Sequence, residues 1–339
     1  MSRIPLAMVM LAVIGILVPG CAADASGPAM EKPPMPLTED RDGQPASPPE
    51  VRVVDFKRVG EVTLRMHIVG PAAGTDRTAI VLFFCGSWTG FNAAKYFPQS
   101  AYFASRGALC FNAEVRSIGV HKTTPTECLI DAKSAIRWVR QHASDYGIDP
   151  QRIVAFGASA GGQVAACTAL VDELNDPDDD ARVSATPNAL MLACPVLVVH
   201  EQDRHVALFG SEQRAKALSP VLRVRPKSPP ALIMQGGEDT RTPPENAARF
   251  VAAMRQAGNR CDLRTYPRAG HGFHNYSTGH NVNFVETVRD MDNFLISLGI
   301  LTGQPTIDSF RFVPLASPAS SPTGPPSVTQ SAPAHEPGE

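Results

Sequence analysis

The 339-residue sequence lacks three features that would each indicate a class of function. Its formal net charge at neutral pH is only −2, so nothing in the charge balance favours nucleic acid as a partner. Its seven cysteines include no Cys-x-x-Cys pair, so a structural zinc site is not predicted. No internal repeat is visible. The full sequence is 43% hydrophobic and 19% charged, a balance that is typical of a protein with a globular core.

The apolar run near the start of the chain is too short to span a membrane comfortably. It covers residues 4–18, directly after Arg3. Gly20 and Cys21 follow it, and a small residue before the first cysteine resembles a bacterial lipoprotein signal, in which Cys21 would be lipidated. An ordinary secretory signal cut nearby and an uncleaved anchor are the alternatives. We therefore interpret residues 1–21 as an export signal and expect the protein in the periplasm or cell envelope.

Two further segments have no apolar periodicity. Residues 22–50 are rich in Pro, Ser, Asp and Glu and predict a disordered tether. Residues 313–339 are rich in Pro and Ser and predict a disordered tail. Between them, residues 51–312 alternate short apolar runs with amphipathic helical patterns, which predicts an α/β domain with a mostly parallel sheet and helices on both faces. Residues 199–229 interrupt this alternation and predict a small helical insert over the ligand-binding edge of the sheet.

One short motif lies where a buried strand meets a helix. Gly157-Ala158-Ser159-Ala160-Gly161 follows a run of apolar residues and precedes a helix rich in small residues. This Gly-x-Ser-x-Gly pattern in its strand–turn–helix setting predicts a sharp turn that exposes the Ser159 hydroxyl. The glycines leave room for strand and helix to cross closely, and the helix start offers free N–H groups to a developing negative charge. Ser159 is thus the candidate nucleophile.

A serine hydroxyl needs a histidine base that a carboxylate holds in one tautomer. The apolar run 231–235 leads into Glu238 and Asp239, of which Asp239 is the preferred acid and Glu238 the alternative. The run 261–266 leads into His271, which glycines flank on both sides and which is the preferred base. His274 is predicted to lie in the pocket wall with Phe273, with a hydrogen-bonded surface histidine as the alternative.

The loop after the third predicted strand reads Cys85-Gly86-Ser87-Trp88. Backbone N–H groups of such a loop, together with that of Ala160, would bind the oxyanion of a tetrahedral intermediate. Gly86 is the preferred donor, and Cys85 and Ser87 compete for the second position. Trp88 is predicted to form a pocket wall, with core packing as the alternative.

These motifs together resemble the α/β-hydrolase superfamily, and within it bacterial acetyl esterases and acetylxylan esterase-like enzymes. The matching pieces include Gly-Ser-Trp-Thr-Gly at 86–90, Gly-Glu-Asp-Thr at 237–240 and Gly-His-Gly-Phe at 270–273. The chain departs from the pattern where the usual Gly-Gly-Gly of the oxyanion loop reads Cys85-Gly86-Ser87. The resemblance implies a serine esterase that needs no cofactor and acts on short acyl esters, including acetylated carbohydrates.

Two other functions stay open at this stage. One is a serine peptidase of the prolyl-oligopeptidase kind, although the chain has no room for the long N-terminal propeller that such enzymes usually carry. The other is a non-catalytic binding protein that has kept the fold, since fold alone does not establish function. The expected partner is a small-molecule or carbohydrate ester. Contact with a membrane is expected only through a lipid on Cys21, and the sequence does not give the oligomeric state.

Overall fold

A computed structural model describes residues 51–277 and 281–312 of the chain. The predicted export signal, the lipidation site Cys21, the tether and the tail lie outside these residues. The described part contains one eight-stranded sheet with α-helices on both faces, and this confirms the predicted fold class.

The sheet has the strand order β1-β2-β4-β3-β5-β6-β7-β8. The pairs β1–β2 and β2–β4 are antiparallel, and the other neighbours are parallel. The parallel strands therefore end together at one edge, where ligands bind in sheets of this type. The strands are β1 Val51–Val59, β2 Val62–Val69, β3 Arg77–Phe83, β4 Leu109–Ala113, β5 Ile148–Ala158, β6 Ala189–Ala193, β7 Ala231–Gly236 and β8 Cys261–Tyr266.

The helices include the insert that the sequence predicts between residues 199 and 229. Two short α-helices and a 3-10 turn (Pro220–Leu222) form it. The α-helices are α1 Phe97–Ser105, α2 Ile118–His121, α3 Pro125–Gln141, α4 Ala160–Leu170, α5 Asp203–Phe209, α6 Glu212–Ala217, α7 Pro244–Gln256 and α8 Val282–Ser297. Within the described ranges, none of them is both long and apolar enough to cross a bilayer.

The core lies on both faces of the sheet, because successive residues of a strand point to opposite sides. In β3, Ala79, Val81 and Phe83 pack into one hydrophobic cluster, whereas Ile80 and Leu82 pack into the other. All seven residues of this strand are buried. Such two-sided burial is typical of central parallel strands and explains why their sequences are continuous apolar runs.

The sequences Thr124-Pro125-Thr126-Glu127 and Thr242-Pro243-Pro244-Glu245 each predict a capping box at a helix start, and the structure confirms one of the two. At α3, Thr124 and Glu127 form the predicted capping box, in which the Glu127 carboxylate accepts from the Thr124 backbone N–H at 2.8 Å. At α7 the prediction of a capping box from Thr242 to Glu245 is wrong. Pro243 is the N-cap there, with no side-chain cap bond. The Thr242 hydroxyl donates to Asp239 instead, at 2.7 Å, so this side chain belongs to the candidate site.

The sequence predicts one structural ion-pair group of Asp131, Arg116 and Arg137, and the structure divides these residues between two ion pairs. Arg116 binds the buried Asp131 through two hydrogen bonds of 2.8 Å, and Lys57 adds an ion pair to the same carboxylate. Arg137 pairs with Asp179 instead, at 2.9 Å. The six cysteines of the described ranges are buried and unpaired, as the apolar sequence neighbours of Cys110, Cys167 and Cys194 predict for those three.

Candidate active site

Ser159 lies at the sharp turn between β5 and α4. Its backbone has φ 54° and ψ −121°, a strained conformation for a residue with a side chain. The turn depends on close packing of the two flanking glycines. A Cβ on Gly157 would overlap the carbonyl oxygen of Gly161, and a Cβ on Gly161 would overlap that of Phe83 in the neighbouring strand. The structure thus gives the motif its predicted strand–turn–helix setting, with α4 beginning at Ala160.

This packing predicts that Gly161→Ala destabilises the fold. Alanine is favourable in helices, but its Cβ has no space beside the backbone of Phe83, so the strand and the helix must separate. We expect the free energy of unfolding to fall by about 1–3 kcal/mol, the usual cost of overpacking. Urea titration followed by circular dichroism measures the change. Gly90→Ala is the matched control, because a Cβ on Gly90 meets no atom within 4 Å. Equal stability of the two variants would contradict the prediction.

The three side chains predicted to act together lie in one hydrogen-bonded chain. His271 Nε2 is 3.0 Å from Ser159 Oγ, and His271 Nδ1 is 2.9 Å from Asp239 Oδ2. The Asp239 side chain is fully buried, while 19% of the His271 side chain is exposed. The carboxylate is thus shielded from water, whereas the ring that joins it to the serine faces the cavity. Glu238, the alternative acid, is exposed and forms no hydrogen bond with this histidine among the described residues.

Hydrogen bonds hold the Asp239 carboxylate in place. Its Oδ1 accepts from the backbone N–H groups of Arg241 (2.9 Å) and Thr242 (3.0 Å), and its Oδ2 accepts from the Thr242 hydroxyl (2.7 Å). Burial by itself would raise the pKa of the Asp239 carboxyl. The bonds from Thr242 and His271 outweigh that effect and leave its pKa below the ordinary value. Asp239 is therefore ionised at neutral pH.

The predicted oxyanion loop forms a 3-10 turn at Gly86–Trp88 in which Ser87 is left-handed, with φ 52° and ψ 30°. The Trp88 N–H donates to the Cys85 carbonyl and that of Thr89 to the Gly86 carbonyl, so both donors are used inside the turn. The N–H groups of Gly86 and Ser87 come before the first donor of the turn, so the hydrogen bonds of the turn do not use them. Ser87 lines the cavity beside Ser159, and Gly86 does not.

A cavity of about 340 Å³ lies at this edge of the sheet. Its walls come from the loop after β3, the start of α4, helix α5 and the loops that follow β6, β7 and β8. The lining residues are Ser87, Trp88, Ser159, Ala160, Val196, Arg204, His205, Leu208, Arg241, Thr242 and His271. The insert therefore covers the site as predicted, and α5 supplies three of these residues.

Trp88 combines the two interpretations that the sequence allows. It lines the cavity, yet its exposed fraction is only 2%. Its indole Nε1 donates to Gln163 Oε1 at 3.1 Å, and its ring packs edge-to-face against His205 and Phe209, each with a centroid distance of 5.3 Å. The tryptophan thus joins the loop after β3 to α4 and packs against α5.

Phe273 and His274 are not among the residues that line the cavity beside Ser159. His274 is 5% exposed, and its ring lies near Tyr96 with a centroid distance of 6.3 Å. Burial lowers the pKa of His274 to about 3, so the ring is neutral at neutral pH. The structure therefore places His274 in the core rather than in this wall, because the chain turns inward after His271.

Three side chains at the site offer donor atoms that lie close enough to consider a metal ion. The atoms belong to Cys194, Asp239 and His271 and lie within 4.8 Å of one another. Burial raises the pKa of the Cys194 thiol to about 12, so it is protonated at neutral pH and a poor ligand. The other two groups, Asp239 and His271, are hydrogen-bonded to each other.

Several lining residues escape prediction from the sequence. Thr242 supports Asp239, and Arg204, His205 and Arg241 bring polar groups into the cavity. Thr242 follows the predicted acid by three residues, and that short spacing is the only local signal for its role. Nothing in the sequence of the insert shows which side of α5 faces the serine.

Comparisons with known proteins agree with this geometry. A model described as the prolyl oligopeptidase family matches residues 119–296. The chain is 28% identical to esterase LipQ of Mycobacterium tuberculosis over 65% of its length, and 26% identical to an acetylxylan esterase of Xylanibacter ruminicola over 61%. These matches cover 54% and 42% of the two relatives, so the chain spans about half the length of the curated relatives it matches.

A solved structure gives a fuller match. It is an esterase of Thermogutta terrifontis with propionate bound, which is 40% identical and superposes with a TM-score of 0.71. The match covers 76% of this chain and 97% of that one.

Proposed function

The chain belongs to the prolyl oligopeptidase family within the α/β-hydrolase superfamily, and from this premise we propose that it is a serine ester hydrolase. The observation that carries the proposal is the continuous hydrogen-bonded chain Ser159–His271–Asp239, with distances of 3.0 and 2.9 Å, at the floor of a small cavity. The cavity volume of about 340 Å³ lies at the lower end of the range for ligand sites and favours short acyl esters.

The proposed reaction passes through an acyl-enzyme. Ser159 Oγ attacks the ester carbonyl while His271 Nε2 takes its proton, and the ionised Asp239 stabilises the imidazolium that forms. The N–H groups of Ser87 and Ala160 hydrogen-bond the oxyanion, and the N-terminus of α4 adds a favourable field. His271 then gives its proton to the leaving alcohol. A water molecule, activated by the same ring, hydrolyses the ester of Ser159 and releases the acid.

Peptide hydrolysis is the second candidate, and the name of the matching family is what favours it. The similar proteins described above carry esterase names instead, and one of them is 40% identical to this chain. An ester has a better leaving group than an amide, so the same residues hydrolyse esters more readily. A non-catalytic binding protein would not need the buried, hydrogen-bonded acid that orients His271.

A substrate panel tests the proposal. We expect p-nitrophenyl acetate, propionate and butyrate to be hydrolysed with kcat/KM values that fall for longer chains, and a prolyl p-nitroanilide to be hydrolysed at least about 100-fold more slowly. Release of p-nitrophenol or p-nitroaniline measures both reactions, and heat-denatured protein is the control. Turnover of the anilide at the rate of the esters would favour the peptidase, and no turnover of any ester would favour the binding protein.

Acetylated carbohydrates are the substrates that we propose among short esters. The likeness to an acetylxylan esterase supports this choice. Acetate release from acetylated xylo-oligosaccharides, compared with release from p-nitrophenyl acetate by the same preparation, measures the activity on acetylated carbohydrates.

Phosphorylation by paraoxon, which a solved form of the Thermogutta terrifontis esterase carries, is expected at Ser159 of this chain.

Export to the periplasm or cell envelope remains part of the proposal. It rests on the apolar run of residues 4–18 and on Cys21. Mass spectrometry of the mature N-terminus after expression in a bacterium distinguishes a lipidated Cys21 from an unmodified terminus elsewhere.

A further inference from the structure

The cavity beside Ser159 carries positive charge without a matching negative charge. Arg204, on α5, and Arg241, in the loop after β7, both line it. No Asp or Glu is among the lining residues that the structure describes. The carboxylate of Asp239 lies behind His271 and is fully buried.

Neither of these two guanidinium groups forms an ion pair with a carboxylate of residues 51–277 or 281–312. Arg204 donates to neutral acceptors instead, namely Gln202 Oε1 at 3.1 and 3.0 Å and the Arg241 carbonyl oxygen at 3.3 Å. The neighbouring Glu201 is already engaged, since both its oxygens bind Arg249 at 2.7 Å. The charge at the cavity is therefore available to a ligand.

His205 adds a polar group that has no protein partner. Its exposed fraction is 6%, it lines the same cavity, and its Nδ1 is buried without a hydrogen bond among the described residues. Burial and the nearby Arg204 lower the pKa of His205 to about 4, so the ring is neutral at neutral pH. A buried polar atom without a partner costs free energy, which sets this nitrogen apart from the hydrogen-bonded polar groups of the site.

We propose that this cavity selects esters that carry a carboxylate, which Arg204 and Arg241 bind while Ser159 attacks the ester carbonyl. Arginine suits this role because its planar fork of N–H donors matches a carboxylate. The inference rests on the ester hydrolase activity proposed above and narrows its substrates, so that an acetylated carbohydrate fits only where it also carries a carboxylate. The carboxylate lies either on the acyl part or on the alcohol part of the ester.

Two matched substrate pairs separate these cases. On the alcohol side, 4-acetoxybenzoate is compared with its methyl ester, and released 4-hydroxybenzoate or its ester is measured by chromatography. On the acyl side, monomethyl succinate is compared with dimethyl succinate in a pH-stat. We expect the charged member of one pair to have the higher kcat/KM at low salt. The preference should shrink at about 1 M NaCl, where the Debye length is only about 3 Å.

Substitutions then assign the preference to the two arginines. Arg204→Gln and Arg241→Gln should each lower the charged-to-neutral ratio of kcat/KM by about three- to tenfold, as expected for one exposed charge near an anion. Arg204→Lys should keep most of the ratio because it keeps the charge. Arg58→Gln is the control, since it removes a positive charge from β1 at the far edge of the sheet.

The outcomes separate this inference from the proposed function. Hydrolysis of the neutral esters with no preference for either charged ester would overturn the inference and leave the esterase proposal standing. An unchanged ratio in both Gln variants would overturn the assignment to the arginines. Absence of hydrolysis for all four esters and for p-nitrophenyl acetate would overturn both proposals, whereas hydrolysis of p-nitrophenyl acetate alone would overturn only the inference.

Discussion

Ser159→Ala is expected to reduce kcat/KM for p-nitrophenyl acetate by about 10⁶-fold. The variant keeps the cavity and the N–H groups at Ala160 and Ser87, but it has no oxygen that can form the acyl-enzyme. Those groups alone leave a residual acceleration of about 10³–10⁴-fold over water. The initial rate of p-nitrophenol release at substrate concentrations well below KM measures the loss.

Controls must separate lost chemistry from lost structure. Alanine can occupy the strained backbone at position 159 as readily as serine, so the melting temperature of the variant should match that of the wild type. Ser309→Ala changes an exposed serine remote from the cavity and should keep full activity. Mass spectrometry after rapid quenching should find the acyl group on Ser159 of the wild type only. Ester hydrolysis at the wild-type rate by Ser159→Ala would show that another residue is the nucleophile.

Asp239→Asn is expected to lower kcat by about 10⁴-fold. In the wild type, Oδ1 accepts two backbone N–H groups, from Arg241 and Thr242, while Oδ2 faces His271 Nδ1. An asparagine must place its oxygen toward the two backbone donors, because its NH₂ group cannot accept them. That NH₂ group then faces the ring and requires Nδ1 to be an acceptor. The proton moves to Nε2, so His271 can no longer take the proton of Ser159.

The neighbouring carboxylate provides a matched control for this variant. Glu238→Gln removes the same charge from the preceding residue, which is exposed. We expect its kcat to stay within about twofold of the wild type, because screened surface charges contribute little. Steady-state kinetics with p-nitrophenyl butyrate compares the two variants. A larger loss in Glu238→Gln than in Asp239→Asn would identify Glu238 as the acid.

The parts of the site that could be predicted are those that short sequence patterns encode. The turn at Ser159 requires glycines at fixed positions, and the ends of buried strands mark the places of Asp239 and His271. Local patterns fail where two roles share the same residue type. Thr242 precedes a helix, as an N-cap does, yet its hydroxyl binds the carboxylate of Asp239, three residues earlier in the chain.

The insert shows a second limit of sequence reasoning. Its position over the site follows from a gap in the alternation of strands and helices. The contacts of Trp88 with His205 and Phe209 join segments more than a hundred residues apart. No periodicity in the seven residues of α5 determines which side faces the cavity. For the same reason Arg204 and His205 become visible as site residues only in the structure.

The link between Trp88 and Gln163 has a consequence for changing what the protein accepts. It joins the loop after β3 to α4. The contact of Gly161 with Phe83 also joins α4 to the last residue of β3. This half of the cavity is a rigid frame that tolerates little substitution. The opposite half comes from short α5 and an exposed loop residue, Arg241. A library that varies positions 204, 208 and 241 should therefore yield new substrate preferences in proteins that still fold.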